Sequence, residues 1–224
     1  MESTPTAMNT SLTARQQGIV AIAAYTASGR LEELKTALNE GLEKGLTVNE
    51  IKEILVQLYA YAGFPRSLNG INTFMSVMDA RRAAGIEDEM GPEAGPLPEN
   101  WDRDDYGARV RAHLVGLDRI PEPSGYQLFA PAIDAFLKQH LFADIFVRDN
   151  LDYRSRELAT ISILAAIPGA APQLRSHMNM AMNTGLSESE LRDFVTLIGQ
   201  RLGAGEGASA AAVLETVLAE RGKK

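Results

Sequence analysis

Between Leu151 and Leu202 the chain gathers residue types that can move protons. A charged turn, Arg154-Ser155-Arg156-Glu157, precedes an apolar helical run, and an isolated histidine, His177, follows on the next helical stretch. Imidazole titrates near neutral pH, and a neighbouring carboxylate can orient it or raise its basicity. Each group also has a plain alternative: His177 as a packing histidine, Glu157 as a first-turn carboxylate favoured by the helix dipole. The 224 residues include no cysteine, which excludes a disulfide framework, thiolate metal ligands and thiol redox chemistry in this chain. The histidines show neither His-x-x-x-His nor Glu-x-x-His spacing, so no metal site is expected.

The elements that must position these groups read as helices throughout. Leu158, Ile161, Ser162, Ala165 and Ala166 share one face, and Pro168-Gly169 ends that helix. Pro172 suits the first turn of the next helix, which runs to Gly185 and carries His177 with Met178, Met180 and Met182. Ser187 and Glu190 form a capping box for a third helix; Gly203 to Gly207 is a turn, and Ala208 to Arg221 a terminal helix. Upstream, Leu12 to Gly29 and Leu31 to Gly45 are helical, and Thr47 and Glu50 cap a helix broken at Gly63-Phe64-Pro65 and resumed to Ala83. Met1 to Thr10 reads as a loose arm. The acidic, proline-rich stretch from Gly85 to Trp101 is a linker. A short helix is expected over Asp102 to Leu117, a turn over Pro121 to Gly125, and a helix near Ala130 to Phe146. No segment has strand periodicity, so the fold class is all-α.

The two ends of the chain repeat one another. Gly45-Leu46-Thr47-Val48-Asn49-Glu50 matches Gly185-Leu186-Ser187-Glu188-Ser189-Glu190 at an offset of 140 residues, and Gly63 falls on Gly203. Leu12 and Arg15 match Leu151 and Arg154 at 139, so one residue is inserted between helices. The chain divides into a first helical module (residues 11–84), a linker with a short helix (85–125) and a second module (126–222). Duplicated helical units normally bury their faces against each other, so one joint core is expected. The position of Glu157 corresponds to Gly18 and that of His177 to Ala37: only the second copy carries both ionisable groups.

Bulk properties narrow the partners. A net charge of −7 and a pI near 5.1, without a basic stripe, argue against a nucleic-acid partner. No run is long and apolar enough to span a bilayer, and the N-terminal residues lack the apolar core of a signal peptide, so a cytoplasmic protein without a membrane partner is expected.

The pattern FVRDNLDYRSREL, an apolar helix and then His-x3-Ala-x3-Gly-Leu-Ser-x2-Glu resembles the carboxymuconolactone decarboxylase family, whose cysteine-bearing relatives are alkylhydroperoxidase-like proteins. QLYAYAGFPRSLNGI in the first copy is similar to the family's second-half signature, so the resemblance covers nearly the whole chain as two modules. It implies a duplicated helical fold, a trimeric or hexameric homo-oligomer, and a role in the degradation of aromatic compounds. Family peroxidases use a Cys-x2-Cys-x3-His motif with a glutamate about one helix upstream. On this chain the cysteine positions fall on Ala170 and Gln173, the histidine on His177 and the glutamate on Glu157. A thiol peroxidase needs both thiols, so that activity is rejected.

What the resemblance leaves is His177 as acid/base with Glu157 as its partner, in a lyase acting on a small anionic lactone or related organic acid without metal or organic cofactor. Arg148, Arg154 and Arg156 are the candidates for pairing with substrate carboxylates. Arg154 and Arg156 are two residues apart on a helix, so at most one should face the pocket. His140, Gln173 and Tyr61 are further candidate substrate contacts, although packing explains Tyr59 and Tyr61 equally well. The alternative from another class is a non-catalytic small-molecule binder or scaffold.

Overall fold

The computed structural model describes residues 11–223; the N-terminal arm expected over Met1 to Thr10 lies outside them. The first copy comprises α1 (Ala14–Ser28), α2 (Leu31–Glu43) and α3 (Val48–Ala83). Between the copies lie α4 (Arg103–Leu114), α5 (Tyr126–Phe129), α6 (Pro131–Phe136) and a π-helical segment (Leu137–Ile145). The second copy comprises α7 (Tyr153–Ala166), α8 (Ala171–Asn183), α9 (Glu188–Arg201) and α10 (Ala204–Arg221). Among the described residues there is no strand, and no helix is long and apolar enough to cross a membrane.

The repeat is visible in the backbone itself. Thr47 accepts from the Glu50 amide at 3.2 Å while the Thr47 amide donates to Glu50 at 2.9 Å. Ser187 and Glu190 make the same reciprocal pair at 3.2 and 2.8 Å. Gly63 interrupts α3 with φ 84° and ψ 161°, and Gly203 separates α9 from α10 with φ 140° and ψ 163°. Both lie where a side chain is strained, so glycine marks the same break in each copy. α1 and α7 are equivalent and pack against each other. Ile19, Ile22, Ile51 and Leu55 from the first copy join Leu158, Ile161, Phe194 and Ile198 from the second in one continuous core. Each face finds its apolar partner in the other copy, which is why the core is joint.

Two expected boundaries move. α10 begins at Ala204 rather than Ala208, because only Gly203 leaves the helical region. Gly207 is helical and packs against Gly199, where an added Cβ would lie 2.5 Å from a backbone atom. Gly207, which reads as part of a turn, is a contact residue. The helix expected over Ala130 to Phe146 is instead α6 followed by the π-helical segment, whose wider turn leaves no trace in a 3.6-residue pattern.

The linker is pinned along its length. The free amides at the start of α3 donate to it, Val48 to the Glu89 carbonyl at 3.0 Å and Asn49 to that of Met90 at 2.9 Å. The Gly95 amide donates to Asp149 at 2.7 Å. Beyond it, α4 lies against the π-helical segment so closely that a Cβ on Gly107 would sit 1.8 Å from the Lys138 carbonyl oxygen. Val110, Leu114, Leu141, Phe142 and Phe146 form a second, smaller core there with Met180 of α8.

Candidate functional site

The Asp152 side chain caps α7, accepting from the Ser155 amide at 2.7 Å, and so sets the rotation of the helix that follows. Glu157 lies beyond the first turn of α7 and is 0% exposed, so the helix dipole does not account for its placement. α7 packs against α8, and there Glu157 Oε2 meets His177 Nδ1 at 2.8 Å. A carboxylate accepting from Nδ1–H fixes the imidazole tautomer and leaves Nε2 as the nitrogen available to a ligand. Tyr61, two residues before the Gly63 break, sets its ring edge-on to His177, with centroids 5.6 Å apart and an interplanar angle of 87°. The Tyr61 hydroxyl and Glu157 Oε1 are both sealed from solvent without a hydrogen-bond partner. Burial and the nearby Glu157 carboxylate push the phenol far above its ordinary range, so Tyr61 stays protonated.

His177 opens onto a cavity of about 760 Å³. α3 supplies Ala60 and Tyr61; α8 supplies Gln173, Ser176, His177 and Met180; the segment between the copies supplies Arg111, Tyr126, Ile133, Leu137, Leu141 and Phe142. The rest of the wall is Leu164, the Ile167–Ala170 turn and Pro172. Ala170 and Gln173, the positions of the family's cysteines, therefore flank the same space as His177. No group of three or more metal-ligating side chains occurs among the described residues.

Of the candidate contacts, Tyr61 and Gln173 line this cavity and the three arginines do not. Arg156 is 0% exposed and points the other way, into a buried network between α7 and α3. Its guanidinium donates to Gln57 at 3.0 Å, to Glu53 at 3.1 Å and to the Arg148 carbonyl at 2.6 Å. Arg148 clamps the same Glu53 through two nitrogens at 2.6 to 3.0 Å, on the wall of a separate cavity of about 620 Å³ beside the linker. Burial raises the Glu53 pKa, but hydrogen bonds and charge from both arginines outweigh it and hold the carboxyl below its ordinary value. Arg154 pairs with the capping-box residue Glu190, just as Arg15 pairs with Glu50. His140 lies on the outer side of the π-helical segment between Asp144, at 3.0 Å from Nδ1, and the Tyr59 hydroxyl, on Nε2.

The cation that does line the cavity is Arg111 of α4, which the sequence reading passed over. It donates to Asp134 at 2.7 Å. Burial raises the pKa of Asp134, but hydrogen bonds from Arg111 and Gln127 and the charges of Arg111 and Lys138 bring it below its ordinary value. The role of Arg154 was readable from the repeat, since Arg15 and Glu50 are its counterparts. Arg111 has no counterpart in either copy, and no periodicity in the sequence points to it.

A comparison with curated proteins finds no match. The profile of the carboxymuconolactone decarboxylase family matches residues 4–73 and 131–216, one segment in each copy. The matched segments hold α1, α2, most of α3, α6, the π-helical segment, α7 to α9 and most of α10, including Tyr61, Glu157 and His177, and leave out α4 with Arg111. Together they cover well over half of the sequence, and the chain belongs to the carboxymuconolactone decarboxylase family.

Proposed function

We propose that this chain is a cofactor-independent enzyme of the decarboxylase type, working in the cytoplasm, that moves a proton to or from carbon on a small lactone or related organic acid. His177 is the acid/base and Glu157 the carboxylate that orients it. The observation that carries this reading is the 2.8 Å contact between buried Glu157 and His177 Nδ1, made by a histidine that also lines a ligand-sized cavity. The charge that develops on a lactone as its α- or γ-proton shifts is delocalised into the carbonyl, so the chemistry needs a positioned base and a dry site. Tyr61 sets its ring edge against the imidazole and adds to the apolar part of the wall. The test is turnover of a panel of unsaturated γ-lactones, carboxymuconolactone included. His177→Ala is expected to lower kcat by about 10²-fold or more, and Glu157→Gln by a smaller factor. Unchanged turnover in both variants rejects the assignment.

A non-catalytic small-molecule binder is the second reading, favoured by the apolar side chains that make up most of the cavity wall. It expects ligand-dependent thermal stabilisation without turnover. We also propose a homo-oligomer, supported by large apolar side chains left exposed on α3 and α5–α6: Phe64 (62%), Met75 (60%), Phe129 (93%) and Phe136 (66%). Sedimentation equilibrium is expected to give a trimer or hexamer, and a monomer at micromolar concentration rejects it.

A further inference from the structure

We infer that Arg111 is the anion anchor of the His177 cavity and makes it selective for a small ring compound that carries a carboxylate. The inference rests on the proton-transfer reading and names the residue that sets its substrate class. Among the described residues that line the cavity, Arg111 is the one lysine or arginine, and none is an aspartate or glutamate. Arg148 and Arg156 share Glu53, and Arg154 belongs to Glu190, so none of those three serves this space. The counter-ion of Arg111, Asp134, is buried and is not part of the cavity wall. It takes up a single guanidinium nitrogen, Nη1, at 2.7 Å. Nε and Nη2 make no hydrogen bond to the described residues. Asp134 is itself held by Gln127 at 3.0 Å and Lys138 at 3.5 Å. The counter-charge thus lies within the protein and fixes the guanidinium in place without using up its donors.

A guanidinium is a planar fork of five N–H donors, and its Nε and Nη2 edge matches the two oxygens of a carboxylate. Held by Asp134, the Arg111 side chain has little freedom left to lose when a ligand docks. Ile133, Leu141 and Phe142 line the same cavity and limit water around it, which strengthens a charge-assisted pair. His177 shares that cavity, with the Glu157 carboxylate on its Nδ1. The negative charge there disfavours an anionic group against the imidazole, whereas Arg111 attracts one to its own part of the wall. The two charges turn a ligand one way, carboxylate on Arg111 and ring toward His177. Arg111 lies between the two segments that the family profile matches, so the charge of the ligand is read by a helix that belongs to neither copy. An ion pair that only joined α4 to α6 would not distinguish an acid from its ester.

The test titrates the full-length protein with an unsaturated γ-lactone carrying one carboxyl group and with the methyl ester of the same lactone, by calorimetry at neutral pH. The acid is expected to bind about tenfold more tightly than the ester, or better. Arg111→Gln is expected to weaken the acid by about that factor and to leave the ester unchanged. Arg111→Lys keeps a charge beside Asp134, and so the α4–α6 link, but loses the fork; it is expected to weaken the acid several-fold, again without effect on the ester. Equal binding of acid and ester by the wild-type protein overturns the inference. So does a preference for the acid that survives unchanged in either folded variant, or an equal loss of both ligands, which marks a structural role. Deuterium incorporation into the bound lactone in D2O reads the catalytic proposal separately. If His177→Ala abolishes exchange while the preference for the acid is independent of Arg111, the chemistry stands and the anchor falls. If the preference depends on Arg111 but the wild-type protein catalyses no exchange, the anchor stands and the chemistry falls.

Discussion

Glu53, Arg148 and Arg156 are the ion cluster with the largest consequence for stability at the level of single residues. Glu53 is 3% exposed and holds the fully buried Arg156 guanidinium, which pairs with no other carboxylate among the described residues. Glu53→Gln leaves that charge in the interior uncompensated and is expected to cost about 3–5 kcal/mol in chemical denaturation. The Arg154 pair is a contrast: its guanidinium side chain is 44% exposed, so Arg154→Ala is expected to cost about 1 kcal/mol or less and to leave turnover intact. The pH dependence follows from the direction of the shift on Glu53, whose folded pKa lies below its ordinary value of 4.5. A depressed carboxyl contributes stability that is fully present above its unfolded pKa and is lost as pH falls through the folded one. Asp104, Asp134 and Glu190 are shifted in the same direction. Thermal stability is thus expected to be flat from neutrality to about pH 5 and to fall below it. A weaker fall in Glu53→Gln, measured from the same starting pH, assigns part of the slope to that residue.

At the level of elements, the interposed α4 and the π-helical segment decide the shape of the cavity. They supply Arg111, Leu137, Leu141 and Phe142, and the contact that sets them together is Gly107 against the Lys138 carbonyl. Gly107→Ala must push two backbones apart, because the obstructing atom is a carbonyl oxygen rather than a flexible side-chain end. It is expected to destabilise by about 1–3 kcal/mol and to weaken lactone binding, read by urea melts and calorimetry. The cap on α7 acts on the site more directly. Asp152→Ala removes the acceptor of the Ser155 amide at 2.7 Å and is expected to cost about 1 kcal/mol. Since Glu157 rides on the same helix, a drop in kcat without a change in KM would mark a shift of the carboxylate relative to His177.

For the whole molecule, the joint core makes the copies interdependent. α1 and α7 bury Ile19, Ile22, Leu158 and Ile161 at 0–1% exposure, and neither copy alone covers those faces. Residues 11–84 expressed alone are expected to show no cooperative thermal transition by circular dichroism; a cooperative transition rejects the joint-core account. The site is equally shared. Tyr61 comes from the first copy, His177 and Gln173 from the second, and Arg111 and the apolar roof from the segment between them. The first copy lacks the imidazole and the carboxylate, yet it also supplies Glu53 and Gln57, which hold Arg156 beneath α7.

The helices of the two copies, the caps on α3 and α9, the breaks at Gly63 and Gly203 and the duplication were legible in the sequence, because each is a local pattern of spacing or of backbone-permissive residues. The same duplication marked out Glu157 and His177 by subtraction. Which way each arginine points was not legible: the choice between Glu53, Glu190 and a cavity depends on how helices far apart in sequence rotate against one another. The π-helical turn was hidden for a related reason, since its hydrogen bonds follow no period that side chains record. Arg111 entered the cavity wall through a helix that belongs to neither copy. Local chemistry determined the elements and singled out Glu157 and His177; only packing decided that they meet and what charge surrounds them.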